Sequence, residues 1–120
     1  MNKFVLLAAA ALAPLALFTP AHADLGLATS KGCTACHQVE KKVLGPAYNA
    51  VAACYASKDA KVLAAAKAKV AKHVKEGGAG TWGPIPMPAH PAVSNEDITK
   101  IVDWVMDQKG GECPKEFKKS

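Results

Sequence analysis

Apolar residues in this chain recur at helical spacing and almost nowhere alternate, so the pattern predicts helices joined by loops, with little that reads as strand. A short helix is expected from Leu25 to Ala35, and a second from Ala47 to Tyr55, after the Gly45-Pro46 turn. The longest periodic stretch runs from Lys58 to Glu76. Val62, Ala66, Val70 and Val74 recur there at every fourth position with Leu63 beside them, while Lys61, Lys72 and Lys75 fall on the opposite arc. One face should be buried and the other solvated. Gly77-Gly78 and Gly80 stop this helix, and Gly83-Pro84-Ile85-Pro86-Met87-Pro88 can form neither helix nor central strand. Ser94, with Asp97 in the first turn that follows, is placed to cap a last helix whose Ile98, Ile101, Val102 and Val105 make an apolar stripe, and Lys109-Gly110-Gly111 closes it. Residues 115–120 read as a frayed tail. The expected fold class is all-α.

The amino-terminal pattern is of another kind. Met1 to Lys3 is a short positive head, Phe4 to Phe18 is an uncharged apolar run, and Ala21-His22-Ala23 is a small-x-small end. Together they read as a secretory signal cut before Asp24, which leaves residues 24–120 as the mature domain and places it in the periplasm. The alternative is a retained anchor. Against it, the run is shorter than the roughly 20 residues that a spanning helix needs, and Pro14 interrupts it. No later stretch is apolar for long enough to span a bilayer, so no stable membrane insertion is expected.

With 120 residues there is room for one domain. Its 15 basic residues are all Lys, and against 10 acids they give a formal charge of +5. A nucleic-acid reader leans on Arg forks, so the basicity points elsewhere. Beyond the signal the only aromatics are Tyr48, Tyr55, Trp82, Trp104 and Phe117, which is thin for a domain that must stand alone. Something outside the polypeptide is expected to complete the core.

Cys33-Thr34-Ala35-Cys36-His37 supplies the candidate chemistry, a C-x-x-C-H run. Two thiols so spaced can each add across one vinyl group of a haem, and the adjacent imidazole is then delivered to the iron. A bare C-x-x-C would leave a thioredoxin-like redox pair or half a zinc site open. No second pair at zinc spacing exists and no βαβ pattern surrounds the motif, so one covalent haem c is expected, with His37 on its iron. Met87, held among prolines, is the candidate for the opposite axial position, the competing role being plain packing. Met106 sits in the last helix at a position suited to packing. On a helical wheel His73 falls between Val62 and Ala66 on the inward face, either as a satisfied core residue or as a donor to a haem carboxylate. Cys54 and Cys113 are left over. In an oxidising compartment they are expected to pair, the alternatives being isolated thiols or an intermolecular link.

From Leu27 to Lys109 the chain resembles the small bacterial monohaem class I cytochromes c of the c-551/c-552 type. The residues that carry the likeness are Lys31-Gly32-Cys33-Thr34-Ala35-Cys36-His37, Leu44-Gly45-Pro46-Ala47-Tyr48, Thr81-Trp82-Gly83-Pro84-Ile85-Pro86-Met87-Pro88, and Asp103-Trp104-Val105 near Gln108-Lys109. The resemblance implies four or so helices wrapped around one haem, with the first and last helices crossing. It also implies that the Pro46 carbonyl orients His37, that the Trp82 indole donates to a haem propionate, and that a basic group at His73 contacts a propionate. Trp104 should pack in the helix crossing. Relatives tend to place an amide near His90 that donates to the axial sulfur, and many place an aromatic where Gly26 and Ala28 stand. Residues 110–120 lie outside the likeness as a C-terminal extension.

Two strong axial ligands would leave the iron no open site, which implies a one-electron carrier between respiratory redox proteins and not an enzyme; a monomer is expected. Transient docking through Lys side chains is expected, with Lys31, Lys41 and Lys42 as candidates against a background of ordinary solvated lysines. Two other readings stay open at this level: a haem-bearing subunit docked permanently in a larger redox enzyme, and a ligand-binding or peroxidase-like haem protein in which Met87 is absent from the iron.

Overall fold

The computed structural model describes residues 24–119, so the signal segment expected at residues 1–23 lies outside the described residues. Four α-helices follow in order: α1 (Leu25–Ser30), α2 (Tyr48–Tyr55), α3 (Ala60–Glu76) and α4 (Asn95–Met106), with one 3-10 turn (Cys33–Ala35) after α1. Among the described residues pairing of β type is limited to two isolated bridges, His37 with Lys42 and Gly78 with Met87. The all-helical expectation agrees with this architecture.

Side-chain caps start three of the helices. Asp24 Oδ1 accepts from the Leu27 amide (3.0 Å), Asp59 Oδ1 from the amides of Lys61 (2.9 Å) and Val62 (3.3 Å), and Ser94 Oγ from the Asp97 amide (3.1 Å). Each removes an orphan donor that the first turn would otherwise expose. Glu96 and Asp97 also place negative charge at the positive end of the α4 dipole.

The expected helix from Leu25 to Ala35 is broken in two. Gly32 takes φ +81°, a left-handed conformation that ends α1 and turns the chain into the 3-10 turn carrying the first cysteine. At the other end of the chain α4 stops at Met106 rather than reaching Lys109, because the amides of Asp107 and Gln108 bond to the carbonyls of Trp104 and Val105 in a tighter turn.

The core lies where α1 and α2 meet α4. Ala28 is fully buried there, packed with Tyr48, Val51, Tyr55, Ile101 and Val105. A small residue at Ala28 lets α1 approach α4 closely, and Lys31 Nζ then reaches Asp97 (3.1 Å) across the crossing. On α3 the apolar stripe is less covered than its periodicity predicts. No residue of α3 is fully buried, and Val62 is 45 % exposed. Ala66 and Val70 pack against the core, Lys67 pairs with Asp103 on α4 (3.0 Å), and the carboxyl-terminal half of the helix borders an internal cavity. Exposed pairs of this kind contribute about 0–1 kcal/mol and serve chiefly to fix register.

The C-terminal tail is not frayed. A disulfide joins Cys54 on α2 to Cys113, with 4.7 Å between their Cα atoms, and Phe117 packs between Tyr55 and Trp82. The Lys118 amide donates to the Thr81 carbonyl (2.9 Å). A lysine-rich ending hides this in the sequence, because one aromatic among charges carries no periodic signal.

Candidate functional site

Cys33 opens the 3-10 turn and Cys36 directly follows it; both are half-buried and free, and both border a cavity of about 270 Å³. Burial pushes the Cys33 thiol above its ordinary range, opposed by its own backbone amide and by the nearby Tyr48 hydroxyl. His37 follows directly. Its Nδ1 lies 2.8 Å from the Pro46 carbonyl oxygen, and since a carbonyl only accepts, Nδ1 carries the proton and Nε2 keeps a free lone pair. Burial lowers the His37 pKa, with the Pro46 carbonyl acting in the opposite sense, so the ring is held neutral, the form that ligates a metal. Gly45 backs the ring: a Cβ there would sit 2.8 Å from both ring nitrogens.

Met87 borders the same cavity, carried by a loop tied to the end of α3. Met87 and Gly78 exchange two backbone hydrogen bonds (2.8 and 3.0 Å), and the His90 amide donates to the Val74 carbonyl (3.1 Å). Lys75 Nζ donates to the carbonyls of Pro91 (3.0 Å) and Val93 (2.7 Å), closing the loop from its far side. Gly77, at φ +75°, is required here. A Cβ would stand 2.7 Å from the Met87 carbonyl oxygen.

Tyr48 forms part of the cavity wall between these groups. Its ring stacks on His37 (centroids 5.2 Å apart, planes 14° apart) and meets Trp104 edge-on (5.3 Å, 76°). Its hydroxyl is buried and lacks a hydrogen-bond partner of good geometry. Burial, with the Cys33 thiol alongside, raises its pKa above the ordinary phenol range. Sequence reasoning met Tyr48 only inside a motif, and Lys75 only as a solvated lysine; both roles depend on tertiary contacts that no local pattern encodes.

The other expected site residues fall as follows. His73 borders the cavity beside Val70 and Val74, and Trp82 borders it from the opposite loop. His90 is not among the cavity-lining residues; its Nδ1 is buried without a partner, and its ring is close enough to His37 to help lower that pKa. Lys31 and Lys42 are engaged in pairs with Asp97 and Glu116, each at 3.1 Å, whereas Lys41 is exposed. Trp104 and Met106 pack against the core.

The donor set fits a covalently held haem. Two free thiols, an imidazole with Nε2 unengaged and a thioether converge on one cavity walled mainly by apolar groups, Val51, Val70, Ile101, Val102 and Val105 among them. Tyr48, whose buried hydroxyl has no hydrogen-bond partner of good geometry, borders the same space.

Comparison with known proteins agrees with this arrangement. The family model Cytochrome c matches residues 26–109. Cytochrome c-551 of Pseudomonas aeruginosa is 45 % identical over 80 residues, covering 67 % of this chain and 71 % of that protein. Cytochrome c-552 of Nitrosomonas europaea is 45 % identical over 89 residues, covering 74 % of this chain and 82 % of that protein. The crystal structure of wild-type Nitrosomonas europaea cytochrome c552 superposes with a TM-score of 0.65 at 44 % identity, over 72 % of this chain and 100 % of that one. This chain belongs to the cytochrome c family, as a small class I monohaem cytochrome c with one covalently bound haem c.

Proposed function

We propose that this cytochrome is an exported, monomeric one-electron carrier with His37 and Met87 as axial ligands and Cys33 and Cys36 as the thioether anchors. The observation that carries this reading is the convergence of the His37 imidazole and the Met87 loop on one apolar cavity that both free thiols also border. Haem c, when bound, supplies an iron that alternates between two oxidation states one electron apart.

The residues of the chain govern the rest. Pro46 holds the His37 ring through Nδ1 and leaves Nε2 for the iron. The Gly78 pairing and the Lys75 clamp hold the loop that would present the Met87 thioether to the iron, which would leave no coordination position for a substrate. Apolar walls exclude water and favour the less charged, reduced state, which together with a thioether ligand makes for a high potential. His73 and Trp82 are the donors for the haem carboxylates.

Leu44 and Ile85, each 55 % exposed, border the cavity and form an apolar rim in a surface with many lysines. Such a rim suits brief contact with acidic redox partners, steered in by charge and released quickly. Among the described residues no helix is long and apolar enough to cross a membrane. The Cys54–Cys113 bond suits an oxidising compartment such as the periplasm.

The test is a potentiometric titration paired with a peroxidase assay on the purified holoprotein. A single reversible one-electron wave without peroxide turnover is expected. Sustained peroxide consumption at the haem would replace the carrier reading with a catalytic one.

A further inference from the structure

We propose that the C-terminal strap, residues 107–119, positions Trp82: Phe117 sets the indole against the haem cavity, and the Cys54–Cys113 bond fixes the strap that carries Phe117. The proposal rests on the reading of Trp82 as a donor to a haem carboxylate and assigns that donor its support.

Trp82 is a shared wall. It borders the haem cavity and also a second, more open cleft of about 250 Å³ between the strap, α2 and the segment before it, with Gly110, Gly111, Glu112 and Pro114 among its lining. The Phe117 ring lies 4.5 Å from the indole at a tilt of 42°, and Tyr55 meets both rings edge-on, Phe117 at 5.2 Å and Trp82 at 6.3 Å. Three aromatic rings thus close on one another. The loop alone gives the indole little support, because Thr81 and Trp82 sit in a turn closed by one backbone bond, Gly80 to Gly83 (3.0 Å).

The strap reaches this turn by a fixed path. Gly111 passes so close to the first turn of α2 that a Cβ would stand 2.7 Å from the Ala50 nitrogen. Cys113 is then bonded to Cys54, the residue before Tyr55, so the helix that presents one ring of the cluster also anchors the strap that presents another. Beyond the bond, Glu116 pairs with Lys42 (3.1 Å) and the Lys118 amide donates to the Thr81 carbonyl (2.9 Å), which places Phe117 between two attachments. A bond at Cys113 alone would hold the strap near α2. The Thr81 contact aims it at Trp82.

The experiment uses the full-length holoprotein with Phe117→Ala, Phe117→Leu and Trp82→Phe, and the Phe117→Ala/Trp82→Phe double variant. Hydrogen exchange at the two indole N–H groups is followed by NMR, and midpoint potentials are measured under conditions where each variant is folded. Phe117→Ala should speed exchange at Trp82 by about tenfold or more while Trp104 exchanges as in the wild type. It should move the potential in the same direction as Trp82→Phe, and the double variant should match Trp82→Phe alone. Phe117→Leu should give a smaller change of the same kind, and it supplies the same reading should the Ala variant not fold. Wild-type exchange at Trp82 in a folded Phe117 variant, or equal acceleration at both indoles, would overturn the proposal. If Trp82→Phe leaves the potential unchanged, the carboxylate-donor reading fails, and the positioning claim is then decided by the exchange rates alone.

Discussion

The Nδ1 of His37 lies 2.8 Å from the Pro46 carbonyl oxygen, and this bond fixes both the tautomer and the tilt of the ring that faces the cavity. A donated Nδ1 proton makes the imidazole a stronger electron donor and so favours oxidised iron. Pro46→Ala keeps a carbonyl but frees the backbone that aims it. The potential of that variant should rise by roughly 20–60 mV, which for a one-electron couple is about 0.5–1.4 kcal/mol, the net worth of one hydrogen bond. Potentiometric titration checks it, and a fall in potential would contradict the sign.

Haem should be needed for folding. The core cluster around Ala28, Tyr48, Val51 and Ile101 leaves a cavity of about 270 Å³ beside it, and no residue of α3 is fully buried without a group in that space. An empty apolar cavity forfeits the packing that would offset chain entropy. Replacing Cys33 and Cys36 together by Ala should therefore give a chain with little helix by circular dichroism. A cooperative, fully helical apoprotein would show that the four helices hold by themselves.

The disulfide should contribute heavily to stability. Cys54 and Cys113 are 59 residues apart in sequence, and closing such a loop restricts the unfolded chain by about 4 kcal/mol on the chain-entropy account. The Cys54→Ser/Cys113→Ser variant should unfold at a markedly lower denaturant midpoint. Thiol titration of the denatured, unreduced wild type supplies the companion check, and two titratable groups there would mean that the bond is absent from the protein in solution.

Legibility in the sequence followed how local each determinant is. The start of α4 could be read because Ser94 acts on an amide in the next turn, and that of α3 within two residues from its apolar period, although its Asp59 cap was not singled out. The break at Gly32 could not, since the apolar pattern runs on through it and only the left-handed φ interrupts the helix. The cysteine motif and Met87 could be picked out as candidates from spacing and from rigid prolines, and they do border one cavity. Phe117 was lost in a charged tail, the Lys75 clamp in a solvated arc, and the stacking of Tyr48 on His37 in a motif, because each is made by chain segments distant in sequence. Val62 shows the converse error. It keeps perfect helical period with Val70, yet it lies a turn beyond the part of α3 that packs against the core and remains 45 % exposed.

Acid stability should depend on Asp97. The Lys31 ammonium hydrogen-bonds to its carboxylate and, with Ser94 and the charge of Lys100, holds the pKa below the ordinary range. A carboxyl depressed on folding stabilises the native state above the unfolded carboxylate pKa of about 4, and that stabilisation is lost as pH falls through the folded value. Asp97→Asn should thus lower the Tm at neutral pH and lose its effect at strongly acid pH, where both proteins are neutral at this position. A Tm difference that persists unchanged into acid would assign the effect to the α4 cap instead of the charge.

The central claim, that the iron is closed on both faces by His37 and Met87, is tested most directly by exposing the dithionite-reduced holoprotein to carbon monoxide and recording the difference spectrum. Because Met87 is held by Gly78 and the loop by Lys75, the wild type should show no carbon monoxide complex on the timescale of mixing. Met87→Ala, which removes the thioether, should bind it completely. Rapid, complete binding by the wild-type protein would contradict the account, because an iron open to carbon monoxide is open to substrates as well.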